Sequence, residues 1–229
     1  MKKAALAALL VLRARVLGGS DVAALIEQHP EAAADAIGDE LVDKIRERAE
    51  KIKIGPGNDP ASEMGPLITA AHRDKVASYV TGAAAQGSEV ILDGTGYTVE
   101  GYEDGHWIGL SLLDRVPVTA DAYKDEIFGP VLCVLRVETY EEGLALINAS
   151  PFGNGTAIFT RDGGAARRFQ LEVEAGMVGV NVPIPVPVAY YSFGGWKDSL
   201  FGDTHMYGPE GINFYTRGKV VTSRWPDPA

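Results

Sequence analysis

Two hydrophobic periods alternate along the chain. From Asp39, the apolar residues Leu41, Val42, Ile45, Ala49 and Ile52 recur at helical spacing with charges between them. Asp39 can cap this helix, and Asp39 and Glu40 suit its N-terminal dipole. The pattern breaks at Gly55-Pro56-Gly57-Asn58-Asp59-Pro60, a loop. Thr69 to Ala85 predicts a second helix, with Val76, Tyr79 and Val80 on one face. Gly87 ends it, and Ser88 to Leu92 then reads as a buried strand. Asp93 to Gly105 is polar and Gly-rich, a hairpin or exposed loop. His106 to Val116 returns to strand character, and Val131 to Leu135 is an apolar run of strand length.

The alternation continues downstream. Thr139 to Asn148 predicts a helix, and Thr139 with Glu142 three residues on fits a capping box. Ser150 to Gly155 is a turn, Thr156 to Thr160 a strand, Asp162 to Glu174 a helix, and Met177 to Val182 a strand. Strands alternating with helices predict an α/β fold, a largely parallel sheet with helices on its faces. Pro183, Pro185 and Pro187 alternate with Ile184, Val186 and Val188. Proline at every second position cannot form a central strand and gives a stiff extended segment. After it come a Gly- and aromatic-rich loop (Phe193 to Tyr207), a short helix near Pro209 to Tyr215, and a final strand, Lys219 to Arg224. A lone terminal strand needs a sheet to join; if it leaves its domain it joins another subunit, which predicts a homo-oligomer. Upstream, Val22 to His29 reads as a short helix stopped by Pro30.

Composition removes several classes. The chain has 229 residues, 46% hydrophobic and 23% charged, with a formal net charge of -10. That balance is ordinary for a soluble protein and is the wrong sign for a nucleic-acid face. A single cysteine forbids an intrachain disulfide and a multi-thiolate zinc site, and no His-Glu-x-x-His occurs, so no metal is expected. Lys2-Lys3 followed by Ala4 to Leu12 has the outline of a secretory signal, but Arg13 and Arg15 interrupt it; the other reading is a helical or disordered arm. The run is too short to cross a membrane. A cytoplasmic location without membrane partners is expected.

The candidate chemistry centres on Asp125-Glu126-Ile127-Phe128-Gly129-Pro130-Val131. A carboxylate and a ring two residues apart, just before a buried strand, make a platform for a polar ligand bearing a flat group. Glu126 also reads as a solvated turn carboxylate, and Phe128 as packing beneath the turn. Cys133, between Leu132 and Val134, reads as a small buried hydrophobe. Arg167 and Arg168 can attract an acidic substrate or form a solvated helix face. His72 and His205 have no base-and-nucleophile partner, and no catalytic residue is assigned. Gly55-Pro56-Gly57 has a proline where a dinucleotide-binding turn would begin its helix.

Met64-Gly65-Pro66-Leu67-Ile68-Thr69, Glu126-Ile127-Phe128-Gly129-Pro130-Val131, Pro151 to Thr160, Gly179 to Pro187 and Phe193-Gly194-Gly195-Trp196-Lys197 stand in one order. That order, from about Asp39 to Pro228, resembles the C-terminal portion of an aldehyde dehydrogenase. The Asn181-to-Pro187 run and Phe201 to Gly208 resemble the methylmalonate-semialdehyde dehydrogenases. The resemblance implies NAD- and CoA-dependent oxidation of malonate or methylmalonate semialdehyde to an acyl-CoA. It implies that Glu126 holds the nicotinamide ribose hydroxyls, that Phe128 packs near the nicotinamide, and that Phe193 borders the aldehyde pocket. Asn181 is expected to position a loop through its amide. The family's nucleophile lies in a Gly-Gln-Arg-Cys-like motif before the helix that matches Asp39 to Ile52; here that region reads Ala32-Ala33-Ala34-Asp35-Ala36-Ile37-Gly38. The chain therefore divides into an atypical segment (1–38), whose Val22 to Glu31 resembles a helix of the family's cofactor domain, a partial catalytic α/β domain (39–188), and a loop and oligomerisation tail (189–229). It is expected to be a truncated family member, catalytically incomplete alone. The alternative is a non-catalytic oligomerisation or assembly module, or a gene remnant.

Overall fold

The computed structural model describes residues 34–188 and 190–225. The expected helix over Val22 to His29 lies outside the described residues. Helix α1 (Ala34–Glu50) begins earlier than the sequence pattern suggests, because the Ala-rich stretch before Asp39 joins it. Asp39 is thus inside the helix and does not cap it; its carboxylate pairs with Arg136 at 3.0 Å. The apolar stripe is as predicted. Leu41, Val42, Ile45 and Ala49 are buried with Trp107, Leu110, Leu112 and Leu132. Ile45 is 1% exposed, so Ile45→Ala should cost about 2–5 kcal/mol.

Helix α2 (Ala70–Thr81) is capped by Thr69, whose hydroxyl accepts the His72 N–H at 3.2 Å. It stops at Gly82, and a 3₁₀ turn (Ala84–Gln86) carries the chain to Gly87, left-handed at φ 91°. That split replaces the single helix to Ala85. Strand β1 (Glu89–Leu92) follows, with Glu89 and Val90 exposed. It is therefore not the buried strand expected, since it forms the edge of a sheet, antiparallel to β2 (Ser111–Asp114). Strand β2 is buried throughout and pairs in parallel with β3 (Val131–Cys133). Between them sits a one-turn helix, α3 (Asp121–Lys124).

Helix α4 (Tyr140–Ala149) starts where the capping signal places it. Thr139 accepts from the Glu142 N–H at 3.1 Å, and the Glu142 carboxylate accepts from the Glu138 N–H at 2.9 Å. The reciprocal bond of the box thus lands one residue early. Strands β4 (Phe152–Gly153) and β5 (Gly155–Ile158) follow, then α5 (Gly163–Glu172), capped by Asp162, and β6 (Met177–Val180), parallel to β5. Strand β7 (Trp196–Lys197) pairs antiparallel with β4, and α6 (Gly208–Tyr215) closes the ordered elements.

The architecture is α/β, with parallel strand pairs and flanking helices. Among the described residues the hydrogen-bonded strands fall into separate groups, β1-β2-β3, β4-β7 and β5-β6. The proline run forms no strand, as expected. Lys219 to Arg224, expected to join another subunit's sheet, is exposed and pairs with no strand of this chain among the described residues. A single segment cannot satisfy the pairing geometry that defines a strand.

Candidate functional site

Helix α3 aims the chain into the Asp125–Gly129 loop, and α2 holds that loop in place. The Tyr79 hydroxyl donates to the Asp125 carboxylate at 2.7 Å. His72 Nε2 lies 2.8 Å from the Phe128 carbonyl oxygen. Gly129 fits against fully buried Val76: a Cβ there would stand 2.6 Å from one Val76 methyl. Ile127 is buried beneath the turn, among Val76, Val80 and Ile108. Phe128 takes a positive φ of 57°, a backbone state that L residues rarely adopt. The turn thereby buries Ile127 and leaves the Phe128 ring 72% exposed. Glu126 is also exposed. The sequence reading placed Glu126 and Phe128 together, and the structure presents both outward from one anchored loop. It missed the anchors, Tyr79 and His72, which no motif marks.

A cleft of about 300 Å³ opens beside this loop. Glu126 and Phe128 line it, together with Val131 and Cys133 of β3, Gly155 to Ala157 of β5, Leu146 and Ile147 of α4, and Pro183 to Val186. Phe193 is not among its lining residues. It stacks instead on Tyr207, ring centroids 4.7 Å apart and 8° from parallel.

Cys133 is half-buried and lines the cleft, less enclosed than the buried hydrophobe the sequence suggests. Burial pushes its thiol pKa up to about 11, and its sulfur sits 3.6 Å from the Ala122 carbonyl oxygen as a weak donor. A thiol so protonated is a poor nucleophile. Asn181 clamps the end of β5. Its side-chain oxygen accepts the Thr160 N–H at 2.9 Å and its amide nitrogen donates to the Thr160 oxygen at 3.0 Å. Its φ is 56°, so the chain turns sharply out of β6 into the proline run that walls the cleft. Lys197, unassigned from sequence, donates to the carbonyl oxygens of Asn148 and Ser150 at 2.7 and 3.1 Å and pairs with Glu174 at 3.2 Å. It ties β7 to the end of α4.

Arg168 is bonded to Glu172 and Glu141 and lies 4.7 Å from the Tyr140 ring centroid, which accounts for its charge structurally. Gly163-Gly164 opens α5 after β5, but the Asp162 carboxylate already accepts the Gly164 and Ala165 N–H groups at 2.7 and 3.2 Å. A helix end filled by a carboxylate repels a pyrophosphate. Among the described residues there is no cluster of metal-ligating side chains and no helix long and apolar enough to cross a membrane.

Comparison with known proteins gives a consistent picture. The aldehyde dehydrogenase family matches residues 33–221. A malonate-semialdehyde dehydrogenase of Pseudomonas aeruginosa is 56% identical over 195 residues, 85% of this chain and 39% of that protein. A mitochondrial, acylating methylmalonate-semialdehyde/malonate-semialdehyde dehydrogenase of Bos taurus is 44% identical, over 80% of this chain and 34% of its own length. The solved methylmalonate-semialdehyde dehydrogenase of Oceanimonas doudoroffii superposes with a TM-score of 0.82 at 50% identity, covering 86% of this chain and 40% of that one. An aldehyde dehydrogenase of Mycobacterium tuberculosis, complexed with NAD+, superposes at 0.70 with 29% identity, over 78% and 36% of the two chains. The chain spans about two fifths of the length of the relatives it matches.

Proposed function

The chain belongs to the aldehyde dehydrogenase family, and on that footing we propose that it supplies the C-terminal part of the catalytic domain of a CoA-acylating malonate- or methylmalonate-semialdehyde dehydrogenase. In this reading residues 39–188 are the partial catalytic domain and 189–229 the assembly tail. The observation that carries the site assignment is the anchored Glu126–Phe128 loop, which offers a carboxylate and a ring from one rigid turn. The Glu126 carboxylate is suited to accept hydrogen bonds from the paired hydroxyls of a ribose. The Phe128 ring offers an apolar face to a nicotinamide. These residues fit the ribose–nicotinamide end of NAD and no more, since the Gly163-Gly164 helix start is already capped by Asp162. NAD, when bound, accepts the hydride of the aldehyde.

The same residues argue that the chain by itself does not complete the reaction. An acyl transfer through a thioester needs a thiolate, and the thiol of Cys133, the one cysteine of the sequence, is held protonated by a pKa raised to about 11. Purified chain supplied with malonate semialdehyde, NAD and CoA should form no NADH. A chimera of the Pseudomonas aeruginosa relative, carrying this chain's residues over the 195 matched positions, should be active. In that chimera Glu126→Gln should raise the KM for NAD or lower kcat by about tenfold or more. An unchanged NAD response in Glu126→Gln would sink the site assignment, and turnover by the chain alone would sink the claim of incompleteness.

A second reading, an assembly module, is favoured by the exposed apolar residues of the tail. Phe201, Phe214, Tyr215, Val220, Val221 and Trp225 are each at least 68% exposed. It predicts oligomers in sedimentation at micromolar concentration, and a strictly monomeric chain would count against it.

A further inference from the structure

We infer that Glu210 is a positioning residue: from the tail helix α6 it latches His205 onto Gly194, and so fixes β7 and β4 behind one side of the cleft. The latch starts at the carboxylate. Glu210 Oε2 accepts the His205 main-chain N–H at 2.8 Å and lies 3.6 Å from His205 Nδ1. Ser192 adds a side-chain hydrogen bond to the same group. These bonds, the His205 N–H foremost, hold the Glu210 carboxyl below its ordinary range. Ser192 bonds the carboxylate, whereas a nucleophile would need the imidazole, so the trio is a tie and not a reactive site.

The tie continues by contact toward the cleft. The His205 ring lies against Gly194, where a Cβ would stand 2.8 Å from the ring carbon Cδ2. Phe193, next in the chain, stacks on Tyr207, two residues past His205. Gly194 also meets Gly176: a Cβ on Gly176 would strike the Gly194 carbonyl oxygen. Gly176 in turn donates its N–H to the Gly153 oxygen at 2.9 Å, and Gly153 pairs with Trp196, β4 against β7. The Asp198 N–H closes the seam on the Pro151 oxygen at 3.1 Å. Phe152, Gly153, Ala175 and Met177 line the cleft.

One series of contacts thus runs from α6 to that side of the cleft. Close-packed contacts transmit displacement because they leave little slack. The Glu126–Phe128 loop has separate anchors, Tyr79 and His72 of α2. The two sides are therefore set independently, one from α2 and the other from the tail. The latch is a property of this chain's own geometry; its consequence for turnover rests on the proposed function.

Hydrogen exchange on the full chain tests the latch, and the chimera with the Pseudomonas aeruginosa relative tests its consequence. Glu210→Ala should speed exchange of the Gly176 and Asp198 amides at least about tenfold and leave those of Leu112 and Leu113 unchanged. Glu210→Gln keeps an acceptor for the His205 N–H and should restore slow exchange. Gly194→Ala, which displaces the His205 ring, should speed the same two amides. In the chimera, Glu210→Ala should lower kcat/KM for malonate semialdehyde about fivefold or more through lost orientation, with the KM for NAD unchanged, and Glu210→Gln should restore it. Faster exchange confined to residues 192–194 and 204–206, or equal acceleration at Leu112 and Leu113, overturns the inference. So does an unchanged kcat/KM for the aldehyde beside loosened amides, and so does a Glu210→Gln as damaging as the alanine. An inactive chimera, or a Glu126→Gln variant with an unchanged NAD response, overturns the proposed function instead, and the exchange result still decides the latch.

Discussion

Tyr79 holds Asp125 through a 2.7 Å hydrogen bond, so a buried residue of α2 fixes the start of the turn that presents Glu126 and Phe128. Tyr79→Phe keeps the ring and removes the bond. It should cost about 1 kcal/mol in urea unfolding and speed amide exchange at Glu126 and Phe128. The bond also gives a pH signature. Burial, and then the Asp125 carboxylate, push the Tyr79 phenol from 10.0 up to about 12. The folded state therefore holds this proton more tightly than the unfolded chain. The resulting stability is fully present below pH 10 and is lost as pH rises toward 12. Urea midpoints should fall across that window in the native chain, and fall less in Tyr79→Phe.

Gly129 tests how tightly the loop is seated. An added Cβ would lie 2.6 and 2.7 Å from the two Val76 methyl carbons, and Val76 is fully buried. Gly129→Ala should destabilise by about 1–3 kcal/mol through overpacking. Pairing it with Val76→Ala should recover part of that loss in thermal unfolding, a non-additivity expected only of residues in contact.

Cys133 has a chemical readout. With a pKa moved from 9.0 to about 11, its thiolate fraction at pH 8 is about a hundredfold lower than in the unfolded chain. Alkylation followed by mass spectrometry should show that retardation in native buffer and its loss in denaturant. Fast alkylation of the folded chain would contradict the raised pKa.

Asn181 separates two effects. Asn181→Gly tolerates φ 56° and loses only the clamp on Thr160, whereas Asn181→Ala loses the clamp and also strains the backbone. Alanine should therefore be worse than glycine by about 1 kcal/mol in chemical denaturation. Equal losses would show that the clamp alone matters.

What the sequence could reveal follows the range of each interaction. Helix α4 was legible because Thr139 and Glu142 act within one turn. The stripe Leu41, Val42, Ile45 and Ala49 was legible for the same reason, but the start of α1 was not, since alanines carry no cap signal. Strand β1 misled: Val90 and Leu92 read as buried, yet the strand is an edge, and edge position depends on pairing decided far along the chain. The final segment, Lys219 to Arg224, is expected to pair with another subunit, and within this chain it finds no partner strand among the described residues. At the site, Glu126 and Phe128 belong to a contiguous motif. Tyr79 and His72 approach it from 46 and 56 residues away, a proximity that only folding creates.

The proline run has a consequence beyond the cleft it walls. Ile184, Val186 and Val188 are each at least 50% exposed, an extended apolar ribbon of the kind that recruits other chains into cross-β stacks. Every second residue there lacks an N–H, so one edge of the ribbon has no donors at all, and a cross-β stack needs both edges. The segment can stay extended and greasy at the surface without seeding fibrils. Replacing Pro183, Pro185 and Pro187 with residues that carry an N–H would restore that edge and, with it, the hazard.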